Sequence, residues 1–443
     1  WEENGILISS HPSMTWLTEW DMKADSQNNA LLVFQDIRNN GYNDVFIYKI
    51  SPEGELIWGE NGIQLSDTSE GDLSPILIVT NSDNYIVAWQ SDSGMIIQKI
   101  TSEGDLLFGE NGIQFINDTI SYSWPQLLSV GDDDFILKYY QDTGPIWAPT
   151  RHVYAQRYSA SGETVWNQPA VISSAGGISA WTQILPFVSD GNDGFLIAWH
   201  DDRDNDMLAS VFLQKVDSEG NICFSQNGVE LSTQPGRNNF YPQLCYDVEN
   251  EIVYVAWNEM DGDQNFRGIY AQKIDSAGNL HWENAGLPIV ELSSEDIYPL
   301  ACKLVNDHFV IFYTRFIFGT TLDSAIFATR LDPEGNFVWN SDHVLISSIQ
   351  SIKGHPVCSD FYNQQVIVSW EDDRNGNNDI YAQNISGDGL LGPVILNETL
   401  EFYPAVIEIL NLDTAINGVP FSITNNAFGK SSAYTPSSLS LPV

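Results

Sequence analysis

The stretch Gly268–Ser293, GIYAQKIDSAGNLHWENAGLPIVELS, decides the fold of this chain. It contains two extended segments, GIYAQKI and NLHWENAG, joined by a tight turn at residues 275–278. Similar stretches recur along the chain, and self-similarity at such a period predicts a repeat architecture. The other copies start at Val45, Met95, Val153, Val211, Ile326 and Ile380.

A glycine stands in the tight turn of every copy, and these glycines set the period. Successive turn glycines are 50, 58, 58, 58, 57 and 54 residues apart. Seven copies at this spacing account for most of the 443 residues. The turn glycines are Gly54, Gly104, Gly162, Gly220, Gly278, Gly335 and Gly389.

Each copy holds four short apolar runs separated by turns rich in Asp, Asn and Gly. In the fifth copy we predict strands at 241–246, 252–257, 269–274 and 280–292. The third run alternates, with Tyr270 and Gln272 on one side and Ala271 on the other, which is the period of a strand. Four strands in each of seven units predict an all-β fold, a seven-bladed β-propeller of four-stranded antiparallel blades.

Aromatic residues recur in the second and the fourth strand of the copies, and we expect them to pack between blades. The second-strand aromatics are Phe34, Trp89, Tyr140, Trp199, Trp257, Tyr313 and Trp370. The fourth-strand aromatics are Trp58, Phe108, Trp166, Phe224, Trp282 and Trp339.

The two ends of the chain complement each other. The seventh copy lacks its fourth-strand aromatic, whereas residues 1–6, WEENGI, match residues 58–63, WGENGI. We therefore expect the N-terminal strand to complete the seventh blade and close the ring, which removes an open sheet edge. The predicted propeller spans 1–395, and 396–443 form a tail or linker. Alternatively, 396–443 begin an eighth blade, because Phe402-Tyr403-Pro404 resembles a first strand.

The balance of charge limits the partners. The chain has 18 Lys and Arg against 59 Asp and Glu, a net charge of −41. Such a surface repels nucleic acid and anionic lipid. No run of 18 apolar residues exists, so we predict no membrane span. No signal peptide is visible and Trp1 lies inside a repeat copy, so we interpret the chain as a mature or trimmed form.

Residues at two further positions of the repeat have a structural interpretation. Six of the basic residues occupy one repeat position, where a long stem can pack while the charge meets a carboxylate. We call these residues the basic column; they are Lys49, Lys99, Arg157, Lys215, Lys273 and Arg330. Cys245, Cys302 and Cys358 fall at equivalent places in three successive copies, which predicts buried free thiols rather than disulfides or metal ligands.

The turn between the second and third strands is the most polar part of each copy. In a propeller these turns share a face with the connections between blades, so we predict a ligand-binding face there. It comprises Asp36, Arg38, Asp202, Arg203, Asp261, Asp373 and Arg374. The alternative is that these residues form Asp–Arg pairs and Asx-turns within the hairpins.

The same turn of the seventh copy is rich in oxygen ligands. Asp373, Asn375 and Asp379 predict a Ca²⁺ site, because Ca²⁺ takes six to eight oxygen ligands. The spacing does not match an EF-hand loop. No other metal-ligand spacing and no nucleophile motif is present, so no catalytic residue is assigned.

The pattern Trp-x-Asp-Asp-Arg…Asp-Ile-Tyr-Ala-Gln-x-Ile-x-x-x-Gly, clearest at 370–389 and 199–220, resembles repeats of large secreted or surface proteins of Bacteroidetes-like bacteria. The likeness covers residues 1–395. Proteins of that group often carry a C-terminal sorting domain of the type IX secretion pathway. The resemblance implies export and an extracellular or cell-surface location, but it does not supply a reaction.

Three functions are compatible with these observations. The main hypothesis is a secreted, non-enzymatic propeller that binds or scaffolds a protein or glycan on the polar face. The first alternative is a secreted polysaccharide hydrolase or lyase, with acids at the mouth of the central channel. The second alternative is a structural subunit of a surface assembly that docks through 396–443.

Overall fold

The computed structural model describes residues 6–11, 20–39, 41–67, 69, 71–145, 147–283, 285–316 and 324–392. In these residues the chain forms seven antiparallel sheets and no helix. Six sheets have four strands, and the sheet of the seventh copy has three described strands. The first strands of consecutive sheets contact one another. The protein is a seven-bladed β-propeller, as the repeat predicts.

The strands of each blade follow in chain order from the first strand outward. The first strands are β1 (Trp20–Ala24), β5 (Asp72–Val79), β9 (Ser121–Val130), β13 (Phe187–Ser189), β17 (Arg237–Asp247), β21 (Asp296–Val305) and β25 (Lys353–Cys358). The second strands are β2 (Ala30–Asp36), β6 (Tyr85–Ser91), β10 (Asp134–Thr143), β14 (Phe195–Asp201), β18 (Ile252–Asp261), β22 (His308–Phe316) and β26 (Gln365–Asp372). The third strands are β3 (Asp44–Ile50), β7 (Gly94–Ile100), β11 (Thr150–Tyr158), β15 (Ser210–Val216), β19 (Arg267–Ile274), β23 (Ser324–Leu331) and β27 (Asp379–Ser386). The described fourth strands are β4 (Ile63–Gln64), β8 (Ile113–Ile116), β12 (Ala170–Ser173), β16 (Val229–Glu230), β20 (Leu287–Ser293) and β24 (Val344–Ser347).

The fourth strand differs from its prediction. In the fifth blade we expected it to run from 280 to 292, but β20 begins only at Leu287. A single bridge pairs Leu280 with Ile274, and Trp282 follows it outside the regular strand. The aromatic therefore lies in a bent segment that leads into the strand.

Several predictions lie outside the described residues. The closing strand involves residues 1–5, and the tail or eighth blade involves residues 396–443. These assignments, the domain boundary at 395 and docking through the tail stay predictions. Within the described residues, no helix has the length and apolar character needed to cross a membrane.

The second-strand indoles fill the spaces between blades. Trp89, Trp199 and Trp257 are at most 1% exposed. Trp199 belongs to the same core cluster as Trp166 and Ile172 of the preceding blade. Because each cluster joins neighbouring sheets, the core is divided among the interfaces between blades. The prediction of inter-blade packing is confirmed for these rings.

The fourth-strand aromatics pack beneath the turn glycine of the next blade. A Cβ built on Gly220 would lie 2.6 Å from the Trp166 indole, and one built on Gly389 would lie 2.7 Å from the Trp339 indole. Both glycines have a positive φ, +83° and +78°. The invariant turn glycine of the repeat therefore serves backbone geometry and ring packing at once.

We expect Gly220→Ala to lower the free energy of unfolding by about 2–4 kcal/mol, because it adds a clash with Trp166 to an unfavourable φ. Gly236→Ala is the matched control, since Gly236 also has a positive φ, +73°, but has no atom within 4 Å of the added Cβ. That control should cost about 1 kcal/mol. Chemical denaturation of both variants checks the difference, and equal losses would contradict the packing role.

Buried side chains connect the strands and the blades. Gln272 Nε2 donates to the carbonyl oxygen of Glu283 at 2.9 Å, and its Oε1 accepts from the Trp282 amide at 2.9 Å. In the basic column, Lys49 Nζ lies 3.2 Å from Asp25 Oδ2, and Lys99 pairs with Asp133 of the next blade. The structural interpretation of the basic column is confirmed for these residues.

All four cysteines are free. Cys302 is buried, Cys245 and Cys358 are partly buried, and Cys223 is exposed. Burial raises the pKa of the Cys302 thiol well above its usual range. The predicted buried free thiol is thus confirmed fully only at Cys302, which has an unreactive environment.

Candidate functional site

An indole–carboxylate pair ends the second strand of several blades. Trp199 Nε1 donates to Asp201 Oδ2 at 2.7 Å, and Trp370 Nε1 donates to Asp372 Oδ2 at 2.9 Å. Both carboxylates are almost fully buried. The strand alternation explains the geometry, because residues i and i+2 lie on one face of a strand.

The arginines of the predicted face bind these buried carboxylates. Arg203 donates to both oxygens of Asp201, at 2.8 and 2.7 Å, and its guanidinium lies 3.3 Å from the centre of the Phe212 ring. Arg38 makes the corresponding pair with Asp36 at 2.6 Å. Arg374 pairs with the Asp372 carboxylate and stacks on Tyr381. Each arginine is therefore held within its own blade by a bidentate or stacked contact.

The remaining acids of the predicted face shape their turns. Asp202 accepts from the amides of Asp206 and Met207 at 3.0 and 3.1 Å. Asp261 accepts from the Phe266 amide at 2.7 Å. Asp373 accepts from the Ile352 amide at 2.8 Å. The seven predicted residues belong to the first, fourth, fifth and seventh blades. Asp36 also accepts a hydrogen bond from Ser9 Oγ at 2.9 Å, which links the first blade to the N-terminal segment.

The predicted calcium ligands already bind one another or the backbone. Asn375 Nδ2 donates to Asp379 Oδ2 at 3.2 Å and to the Tyr381 hydroxyl at 2.7 Å. Asp373 Oδ1 is occupied by the Ile352 amide. Across the part of the chain that the structure describes, no group of three or more His, Cys, Asp or Glu side chains could hold a metal ion. The calcium site at Asp373, Asn375 and Asp379 stays a prediction.

Two carboxylates at the same repeat position have pKa values that are shifted in opposite directions. The Arg374 guanidinium holds the pKa of Asp372 well below its usual range. In the fifth blade, burial raises the pKa of Glu259 from 4.5 to about 7. Arg237 Nε is 3.7 Å from Glu259 Oε1, too far for a strong hydrogen bond.

These environments predict opposite responses to amide substitution. Folded Glu259 binds more protons than the unfolded chain between pH 4.5 and 7, so its contribution to stability falls across that window by about 3 kcal/mol. Glu259→Gln should therefore gain stability relative to the wild type as the pH rises from 4.5 to 8. Asp372→Asn should lose about 2–4 kcal/mol at pH 7, because Arg374 loses its buried partner. Denaturation midpoints of both variants, measured at pH 4.5 and at pH 8, check this. The same change of midpoint with pH in both variants would contradict it.

A recurring bulge shapes the first strands, which line the central channel. Ser74, Trp124, Tyr241 and His355 have φ values between +46° and +54°, and each precedes a proline. The strand register shifts at each of these places. A positive φ is rare outside glycine, and a bulge turns the side chain at that place out of the regular ladder. Tyr241 and His355 are consequently exposed.

A cavity of about 560 Å³ follows the first strands of the first four blades. We call it the channel groove and define it by Trp20, Asp21, Trp124, Gln126, Gln183 and Ile184. The Trp20 side chain is 59% exposed. The groove thus offers aromatic surface beside amide and carboxylate groups, the usual composition of a binding cleft.

Asp21 is the functional candidate that sequence reasoning missed. Its register partner, Val33, precedes the second-strand aromatic of its blade. The second, fifth, sixth and seventh blades have an apolar or amide side chain at that register. These residues are Ile76, Gln243, Ala301 and Val357. The signal that could identify Asp21 is therefore a departure from the repeat at one position.

Three donors hold the Asp21 carboxylate in place. Oδ2 accepts from the Leu77 amide of the second blade at 2.9 Å. Oδ1 accepts from the Met22 amide at 2.8 Å and from Lys23 Nζ at 2.6 Å. The side chain nevertheless remains 27% exposed. A fixed and accessible carboxylate in a groove can stabilise positive charge on a bound ligand.

The comparisons with known proteins extend to the fold alone. No protein-family model matches the chain, and neither does any curated protein. Similar solved structures include a Penicillium chrysogenum alpha-L-arabinanase complexed with arabinobiose, at 10% identity and a TM-score of 0.34 over 71% of this chain and 93% of that one. A Fusarium graminearum GH93 alpha-L-arabinofuranosidase matches at 11% identity and a TM-score of 0.39 over 71% of this chain and 93% of that one. Prolyl oligopeptidase B from Galerina marginata matches at 10% identity and a TM-score of 0.43 over 73% of this chain and 44% of that one.

Arabinan-acting enzymes recur among these structures. That finding goes against the main sequence hypothesis of a non-enzymatic binding or scaffolding module, which is wrong on this comparison. The ligand-binding face at the turns stays a prediction, whereas the channel groove arises only where the first strands meet.

Proposed function

We propose that the chain is a glycoside hydrolase that cleaves a polysaccharide lying along the channel groove. Trp20 and Trp124 supply aromatic surface for the C–H faces of sugar rings. Gln126 and Gln183 supply donors and acceptors for the hydroxyl groups.

Asp21 carries this proposal, because it is a held carboxylate at a register where the second, fifth, sixth and seventh blades have none. Hydrolysis breaks the glycosidic C–O bond, adds the hydroxyl of water to the anomeric carbon and gives a proton to the departing oxygen. The transition state resembles an oxocarbenium ion, and an adjacent carboxylate stabilises its positive charge. The role of Asp21 is this electrostatic stabilisation. The amides of Met22 and Leu77 keep its oxygens in position.

Export to the cell surface or the medium is part of the proposal. The repeat resemblance implies that location, and the net charge of −41 suits a soluble extracellular enzyme. A polysaccharide substrate is also found outside the cell. Immunodetection in fractionated cultures of the source organism checks the location, and recovery from the cytoplasm alone would contradict it.

The test of the activity is an assay of the purified chain on arabinan, xylan, mixed-linkage β-glucan and polygalacturonate. We expect new reducing ends from at least one neutral polysaccharide, with Asp21→Asn as the negative control. Release of unsaturated uronates, seen by ultraviolet absorbance, would instead indicate a lyase and overturn the proposal. The absence of reducing ends from a broad panel would also overturn it.

A further inference from the structure

The connection that leads from the third blade into the fourth differs from the connections between other blades. Residues 174–186 form it, whereas the connection after β4 takes only 65–71 and the one after β20 only 294–295. The long connection carries Trp181, whose side chain is 85% exposed. Large exposed indoles are uncommon on soluble surfaces and often contribute to binding sites.

A second departure lies directly against this connection. In the first and fifth blades, the residue after the second-strand aromatic supports the first strand of the next blade. Gln35 Oε1 accepts from the Ser74 amide at 2.9 Å, and Asn258 Nδ2 donates to the Ile297 carbonyl at 2.6 Å. The fourth blade has His200 at this position.

His200 makes no such bond to the next blade. Its Nε2 lies 3.3 Å from Thr182 Oγ1. Its ring packs edge-on against the rings of Phe240 and Tyr241, with 5.2 and 5.7 Å between the ring centres. Its Nδ1 is buried and has no hydrogen-bond partner in the described residues. A buried nitrogen without a partner is unfavourable. His200 therefore differs from the amides at this position in the first and fifth blades, which form a hydrogen bond to the next blade.

Around His200 lies a cavity of about 560 Å³. We call it the His200 cleft and define it by Ser179, Trp181, Thr182, His200, Tyr241 and Gln243. None of its described lining residues is Asp, Glu, Lys or Arg. Burial also lowers the pKa of His200 to about 4, so the imidazole is neutral at pH 7. In a chain of net charge −41 this is an uncharged pocket of hydroxyl, amide and aromatic groups.

We propose that the His200 cleft is a subsite for an uncharged sugar unit, stacked on Trp181 or Tyr241 and bonded by Thr182 and Gln243. The cleft and the channel groove share Gln183 and Ile184, so one polysaccharide can occupy both. This inference rests on the proposed hydrolase and names its substrate class as neutral polysaccharides. Polyuronates are disfavoured, because no Lys or Arg is among the described residues that line the cleft and the net charge of the chain is −41.

The test is isothermal titration calorimetry of Asp21→Asn protein with neutral pentasaccharides of arabinose, xylose and glucose, and with oligogalacturonate. We expect one of the neutral ligands to bind more tightly than oligogalacturonate. Adding Trp181→Ala should weaken that binding at least about 10-fold, since a stacking platform is lost. Adding Trp147→Ala is the matched control, because Trp147 is equally exposed, at 80%, on a loop of the third blade. Unchanged affinity in the Trp181 variant, or tighter binding of oligogalacturonate, would overturn the subsite.

His200→Gln separates binding from folding, because it restores the amide type found in other blades. We expect its denaturation midpoint to equal or exceed that of the wild type, while the affinity falls. A lower midpoint with unchanged affinity would make His200 a structural residue and overturn the inference.

The two proposals fail separately. If neutral oligosaccharides bind through Trp181 but no polysaccharide is cleaved, the subsite stands and the hydrolase does not. If cleavage occurs and Trp181→Ala leaves KM unchanged, the hydrolase stands and the subsite does not.

Discussion

Asp21→Asn should lower kcat/KM on the cleaved polysaccharide at least about 100-fold, the range expected when a charge-stabilising group in an active site is removed. The loss should fall on kcat, because the carboxylate acts on charge that develops in the transition state. Asparagine keeps an oxygen that can accept from the Leu77 amide, so the fold should be retained. Initial rates of reducing-end release, measured over a range of substrate concentrations, check this expectation.

A matched variant tests whether the loss of any one negative charge lowers the activity. Glu163→Gln removes an exposed carboxylate from the turn between the third and fourth strands of the third blade. Its activity should equal that of the wild type. If Asp21→Asn retained more than half of the wild-type activity, the assignment of Asp21 would fail.

The second large effect concerns stability. Trp199→Ala should lower the free energy of unfolding by about 3–5 kcal/mol, because it opens a cavity between the third and fourth blades. It also removes the 2.7 Å hydrogen bond from the indole to the buried Asp201 carboxylate. Urea denaturation monitored by circular dichroism measures the change.

Trp147→Ala is the control for this prediction, since the exposed Trp147 ring lies outside the core. It should change the free energy of unfolding by less than about 0.5 kcal/mol. Equal losses in both variants would contradict the conclusion that the indoles between blades hold the propeller together.

The repeat was sufficient to predict the architecture. Trp199 and Trp257 recur at one spacing with β-type alternation, so their burial between sheets follows from the pattern alone. The basic column was likewise interpreted from the reach of its side chains, as Lys49 and Asp25 show. These predictions succeed because they concern contacts that every blade repeats.

The candidate site could not be predicted in the same way. The carboxylate of Asp21 matters because of its register against β2 and its position beside β5, which no single copy encodes. The bulges at Trp124 and Tyr241 move side chains out of the alternation that the sequence implies. Arg203 lies two residues from the Asp201 carboxylate that it binds, and its part in a ligand-binding face stays a prediction.

Departures from the repeat therefore carry more functional information than the repeat itself. Asp21 and His200 each replace the side chain typical of their column, and both line cavities that share Gln183 and Ile184. The residues that every blade repeats explain how the blades hold together, and each of these two exceptions lines one of the two cavities.

The most direct test of this account is the position of a bound oligosaccharide in crystals of Asp21→Asn protein soaked with a neutral pentasaccharide. The account predicts difference density along the channel groove, with a sugar ring against Trp20 or Trp124 and a glycosidic oxygen within hydrogen-bonding reach of residue 21. Density confined to the outer rim of the blades, or to the turns around Arg203 and Arg374, would contradict it.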